Sequence, residues 1–135
     1  MSITTADLPV RPGEEPWTDG ELKEVRAELE SEAASLRADL AKAASDIAER
    51  LIDSVRDAGD DSADAGTKAF EREQELALTQ NAAGLLDQGE RALARIDAGT
   101  YGVCESCGKP IGKARLLAFP RATLCVQCKQ REERR

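Results

Sequence analysis

Apolar residues recur through the first half of the chain at steps of three and four: Leu22, Val25, Leu29, Ala33, Leu36, Leu40, Ala43, Ile47, Leu51 and Val55. That spacing lines one side of an α-helix. Glu, Asp, Lys and Arg fill the positions between, and no glycine or proline interrupts residues 21–58. At a rise of about 1.5 Å per residue, such a helix is roughly 55–60 Å long. A stripe this narrow on a helix this long calls for a partner along its length. The start is marked as well. Thr18 is a candidate N-cap with Glu21 three residues on, and Trp17 and Leu22 are placed to staple across the cap.

A second helix is predicted over about residues 67–98, with Phe70, Ala77, Leu78, Leu85, Ala92 and Ile96 marking its apolar face. Asn81 and Gln88 fall on or near that face, where polar residues set register in paired helices. Between the two helices, residues 57–66 hold two glycines and four aspartates and read as a turn. A short connection between long amphipathic helices implies an antiparallel hairpin, with its turn roughly 50 Å from its open end. The alternative is a dimeric coiled coil that buries the same stripe between chains. Residues 1–17 carry Pro9, Pro12 and Pro16 and little apolar content, and are expected to form a flexible or extended tail.

The last quarter of the chain holds Cys104, Cys107, Cys125 and Cys128, the only cysteines, and there is no histidine. They form two Cys-x-x-Cys pairs with 17 residues between them. Two thiolates two residues apart grip one metal ion from a tight turn, and two such turns complete a tetrahedron. Zinc suits four sulfurs in that geometry, and a closed site leaves no position for water, so one structural zinc is expected. Gly108 supplies the conformational freedom of the turn. Lys109, Lys113, Lys129 and Arg131 flank the pairs and are expected to offset the thiolate charge. Two disulfides or a dithiol redox site are the competing readings. The first needs an oxidising compartment, yet Met1 to Trp17 has no apolar signal-peptide core and no run spans a membrane, which points to the cytoplasm. The second needs a βαβ context that the pattern lacks.

Composition narrows the picture further. Charged residues make up 33% of the chain, and Trp17, Phe70, Tyr101 and Phe119 are its aromatic residues. That suits long helices sharing a seam rather than a large globular core. The expected fold is therefore all-α: a tail over 1–17, an antiparallel coiled-coil hairpin over 18–99, and a small four-cysteine zinc-finger module with a short C-terminal helix over 100–135. Charge is divided unevenly. Residues 1–100 hold 11 basic and 23 acidic side chains, a net −12, whereas residues 101–135 hold 8 basic and 3 acidic, a net +5. The long part repels nucleic acid, and the small part is mildly basic.

At the predicted turn, Asp57, Asp60, Asp61 and Asp64 stand without a basic residue among them. They form a negative tip able to hold a hard cation or meet arginines of a partner. The plainer reading is a solvated loop whose acids favour the start of the second helix. The twelve-residue EF-hand pattern is absent.

Three stretches resemble the DksA/TraR family of bacterial RNA polymerase-binding regulators. Asp61-Ser62-Ala63-Asp64-Ala65-Gly66 is similar to the family's Asp-x-x-Asp-x-Ala tip. Phe70-Glu71-Arg72-Glu73 through Asn81 matches the returning helix. The third stretch runs from Arg95-Ile96-Asp97-Ala98-Gly99-Thr100-Tyr101-Gly102-Val103-Cys104 through Gly112, then Arg115-Leu116 and Ala122 to Cys128. The resemblance implies a hairpin that enters the secondary channel of RNA polymerase, with tip acids Asp60, Asp61 and Asp64 acting near the active site to modulate initiation. By motif position Asp61 and Asp64 are the two named acids; counting back from Asn81 instead places Asp64 first and Thr67 second. Gly66 stands where the family usually has Ala.

Other functions find less support. A zinc finger that binds nucleic acid directly is motivated by Lys109, Lys113, Arg115, Arg121, Lys129, Arg131, Arg134 and Arg135. Its only candidate reading helix is short and carries Glu132 and Glu133, so no sequence-specific DNA binding is expected. No nucleophile–base pair or phosphate-binding glycine loop is present, so no enzyme is expected. The expectation is a cytoplasmic monomer with RNA polymerase as partner and no membrane association.

Overall fold

The structure is a computed structural model and describes residues 5–56 and 62–134. A 3₁₀ turn at Thr5–Asp7 precedes four helices: α1 (Asp19–Arg56), α2 (Ser62–Ala98), α3 (Lys113–Ala118) and α4 (Val126–Glu133). Among the described residues there is no strand, only an isolated bridge between Val103 and Pro110. No helix among them is long and apolar enough to cross a membrane.

α1 starts where its sequence signals it. Glu21 N–H donates to Thr18 Oγ1 at 3.1 Å, and Thr18 N–H donates to Glu21 Oε1 at 3.0 Å, so two otherwise orphaned donors are satisfied reciprocally. α2 begins at Ser62, five residues before its expected start, so Asp64 lies in the opening turn of the helix and not in a loop. α2 stops at Gly99, where Thr100 N–H reaches back to Arg95 O at 2.9 Å.

α1 and α2 pack as an antiparallel hairpin. Arg26 pairs with Asp97 at 2.7 Å, and Arg50, farther along α1, pairs with Glu75, which lies earlier in α2. The chain divides into two compact units, Met1–Ala33 with Asp87–Arg135 and Ala34–Leu86.

The first unit holds the core. Val25, Leu29, Ala92 and Ile96 meet Leu8, Trp17, Tyr101, Ile111 and Leu116 in one buried cluster. Trp17 packs edge-on to Tyr101, with ring centroids 6.0 Å apart, and the Tyr101 hydroxyl donates to Pro120 O at 2.9 Å. Burial pushes the Tyr101 phenol up, with a smaller contribution from the Glu28 charge.

The N-terminal segment departs from the flexible tail expected of it. From Thr5 onwards it is folded against this core, with Leu8 5% and Trp17 2% exposed. Its polar anchor is Glu14. One carboxylate oxygen accepts from Lys113 N–H at 2.9 Å and from Arg11 N–H at 2.7 Å, and the other accepts from Ala114 N–H at 2.9 Å. Glu14 thus caps α3, whose first N–H groups have no partner within the helix. The Arg11 side chain lies so close to Gly112 that a Cβ there would come within 2.9 Å of Arg11 Cδ. Prolines and charges do not prevent packing when a few anchors find a preformed surface.

In the second unit Leu36, Leu40 and Ala43 of α1 are half-buried, while Ile47, Leu51 and Val55 are 40%, 63% and 81% exposed. The less exposed side of α2 is Glu75, Thr79, Ala82, Leu85 and Leu86 in the second unit, and Gly89, Ala92, Leu93 and Ile96 in the first. Of the face expected from the sequence, Leu85 is half-buried and Ala92 and Ile96 are buried, whereas its earlier positions are not. Phe70, Ala77 and Leu78 point to solvent, as do the supposed register residues Asn81 and Gln88. The apolar count misled because two inward positions, Glu75 and Thr79, are polar. Glu75 meets Arg50 of α1, and Thr79 donates back to Glu75 O at 2.8 Å.

Burial raises the Glu14 pKa, but the backbone N–H groups of Ala114, Arg11 and Lys113, with the Arg11 charge, outweigh it and hold the carboxyl below its ordinary 4.5. A carboxyl depressed on folding contributes stability above its unfolded pKa and loses it as pH falls through the folded value. Glu14→Gln is therefore expected to cost about 1 kcal/mol near neutral pH in urea unfolding, the scale of a lost helix cap. That difference from wild type should shrink once the pH drops below 4.5.

Candidate metal centre

The first cysteine pair sits in a tight hairpin turn. Cys104 N–H donates to Lys109 O at 2.9 Å, and Gly108 N–H closes onto Cys104 O at 3.0 Å. Gly108 adopts φ +75°, a conformation that side-chain-bearing residues seldom take. The second pair is set by a helix: Cys125 is the N-cap of α4 and Cys128 lies in its first turn. Glu105 N–H donates to Thr123 O at 2.9 Å and ties the two halves together.

These constraints bring all four Sγ atoms within 4.8 Å of one another, with Cys107 and Cys125 sulfurs 3.8 Å apart. Four sulfurs bound at about 2.3 Å to one tetrahedral zinc lie about 3.8 Å from each other. The spacing fits a single ion, and the four thiols are free rather than joined as disulfides. Cys104 and Cys128 are buried, Cys125 is intermediate and Cys107 is exposed.

The thiols are prepared unequally for metal. Burial raises Cys104, but N–H groups of Cys107, Cys125 and Ser106 outweigh it and bring it down to about 6. The Cys128 N–H lowers Cys125. Cys128 is lowered by Ser106 but pushed up more strongly by Cys125, burial and the other two cysteines, to about 11. Cys104 and Cys125 are lowered, and Cys128 beside them is raised. A dication removes that conflict, which is the chemistry a four-thiolate set supplies to zinc.

Of the flanking cations, Lys113 is engaged away from the thiolates. Lys113 pairs with Glu21 of α1 at 2.7 Å, donates to Pro16 O at 3.2 Å and sits 5.9 Å from the Trp17 ring centre. Arg115 donates to Leu124 O at 3.1 Å and lies over Phe119, and Arg121 pairs with Glu32 at 2.7 Å. Lys109, Lys129 and Arg131 are exposed. Sequence reasoning missed the Glu105 carboxylate, which takes both Arg91 and Arg95 of α2. Its only sequence signal was an acid placed between two ligands. Of the tip acids, Asp57, Asp60 and Asp61 lie outside the described residues, and Asp64 is placed only by its position in α2.

Because metal affinity contributes to folding, stripping zinc with a chelator should melt the module around the four cysteines while the helical signal of α1 and α2 largely persists in circular dichroism. Cys104→Ser should lose the ion. One zinc per chain retained by that variant in elemental analysis would contradict the assignment.

Comparison with known proteins agrees with this geometry. Residues 99–134 match the family described as prokaryotic dksA/traR C4-type zinc finger. The RNA polymerase-binding transcription factor DksA of Caulobacter vibrioides is 43% identical over 65 residues, covering 48% of this chain and 46% of that protein. The match therefore spans about half the length of that curated relative. Among solved structures, transcription factor DksA2 from Pseudomonas aeruginosa aligns with a TM-score of 0.67 and 30% identity over 86% of this chain and 85% of that one. The RNA polymerase binding protein and transcriptional regulator Dks from Chlamydia trachomatis aligns with a TM-score of 0.53 and 25% identity over 88% and 94%. The sulfur cluster accounts for the local match and the helical hairpin for the extended one, and on both grounds the chain belongs to the DksA/TraR family of C4 zinc-finger proteins.

Proposed function

We propose that this chain is a cytoplasmic, monomeric transcription regulator that binds RNA polymerase through its secondary channel. In this reading the hairpin delivers Asp60, Asp61 and Asp64 near the active site and modulates initiation without reading DNA sequence. The observation that carries it is the likeness to DksA2 over 85% of that chain's length, which spans the hairpin as well as the metal module. Two features of the unit Ala34–Leu86 support it. Its sequence carries 6 basic and 11 acidic residues, and it holds Ile47, Leu51, Ile52, Val55, Phe70, Leu76 and Leu78 exposed, so it offers both charge and apolar surface to a partner.

The relatives are named as transcription factors, and the zinc set is closed, so no catalytic role is assigned. Direct nucleic-acid binding by the metal module is the weaker reading. Lys113, Arg115 and Arg121, three members of its basic cluster, are engaged inside the protein by Glu21, Leu124 O and Glu32.

The cognate polymerase should co-purify with the chain. The double variant Asp61→Ala/Asp64→Ala should keep its fold and polymerase binding, yet lose most of the effect on in vitro transcription. A wild-type transcription profile removes the tip from the mechanism, and failure to bind polymerase removes the whole proposal. In a mobility-shift assay at moderate salt, naked promoter DNA should show no tight complex; nanomolar binding without polymerase would favour the metal module as a DNA reader.

A further inference from the structure

Glu105 occupies the first position between two zinc ligands, Cys104 and Cys107, and it joins three pieces of the first unit. Its N–H donates to Thr123 O, two residues before Cys125, which links the first cysteine turn to the approach to the second. Its Oε1 accepts from Arg91 at 2.8 Å and also from Arg95, one helical turn further along α2. The Glu105 and Arg95 side chains are 29% and 24% exposed, so water competes only partly for this oxygen. Arg91 is also braced from within α2 by Asp87 at 3.7 Å.

With Asp87 on Arg91, two guanidiniums face two carboxylates and the cluster is neutral, so its consequence for the metal is mechanical. Metal leaves a closed site when one ligand swings away, and here the exposed ligand is Cys107, at the end of the turn that Glu105 holds. While the turn is fixed to α2 and to Thr123, a detached sulfur stays beside the ion and rebinds. Groups that orient ligands in this way commonly change metal affinity by about 10–100-fold, far more than the ordinary contribution of an exposed ion pair suggests.

We infer that Glu105 is a positioning residue which, clamped by Arg91 and Arg95, sets the rate at which zinc leaves the four-cysteine site. Zinc retention is thereby coupled to the C-terminal turns of α2, and whatever pulls those turns away from Glu105 loosens the metal.

The test is zinc release from the full-length, zinc-loaded protein into excess chromophoric chelator, followed by absorbance. Glu105→Gln should release zinc about 10-fold faster than wild type, the lower end of the range for ligand-orienting groups. Arg91→Gln/Arg95→Gln should give a similar acceleration, and the triple variant should be no faster than either, because all three changes break one clamp. Glu32→Gln, which breaks the Arg121 ion pair elsewhere in the same unit, should release zinc at the wild-type rate. If Glu105→Gln emerges without zinc, the single variants Arg91→Gln and Arg95→Lys replace it and should show intermediate acceleration. Release within twofold of wild type, additive acceleration in the triple variant, or equal acceleration by Glu32→Gln would each overturn the inference.

Discussion

Four sulfurs within a few ångströms cannot all carry charge unless something positive sits among them, and the fold of the module depends on that constraint. Burial raises the Cys104 thiol but the N–H groups of Cys107, Cys125 and Ser106 bring it below its ordinary value, whereas the neighbouring sulfurs push Cys128 up. Zinc resolves the repulsion and in doing so fixes two turns that have almost no apolar residues of their own. Between them lie Ile111 and Leu116, 1% and 0% exposed, which the metal-held turns present to the helices. These two residues belong to the same buried cluster as Val25, Leu29, Ala92 and Ile96.

That cluster is where the N-terminal segment gains its structure. Leu8 and Trp17 insert into the cluster, and Glu14 satisfies the start of α3 about a hundred residues away in sequence. Lys113 returns the contact by pairing with Glu21 and covering Trp17. The base is thus held together by a metal, an aromatic pair and a single capping carboxylate, each acting on different chain segments.

The sequence was informative where the determinants were local. The Thr18–Glu21 capping box, the apolar stripe from Leu22 to Ala43 and the convergence of the four cysteines follow from residues near one another or from a spacing with few chemical solutions. It was misleading where determinants were distant. Phe70 and Leu78 are apolar, so periodicity alone assigned them inward, but the less exposed positions of that stretch are the polar Glu75, paired with Arg50 of α1, and Thr79, which no window on α2 reveals. The roles of Glu14 and Glu105 were hidden for the same reason. Each is an ordinary acid until α3 or α2 brings its donors within reach. The role proposed for Asp60, Asp61 and Asp64 rests on resemblance alone, since no spacing rule distinguishes functional aspartates from solvated ones.

One feature of the Ala34–Leu86 unit reaches beyond binding. None of its described residues is fully buried, and its apolar side chains grow more exposed toward the end of α1. Helical hydrogen bonds with so little shielding open at a fraction of the global unfolding free energy. The amides of this unit are therefore expected to exchange faster than those around the buried Trp17, Leu29 and Tyr101. The unit Ala34–Leu86 and the metal-centred unit are therefore expected to open at different free energies.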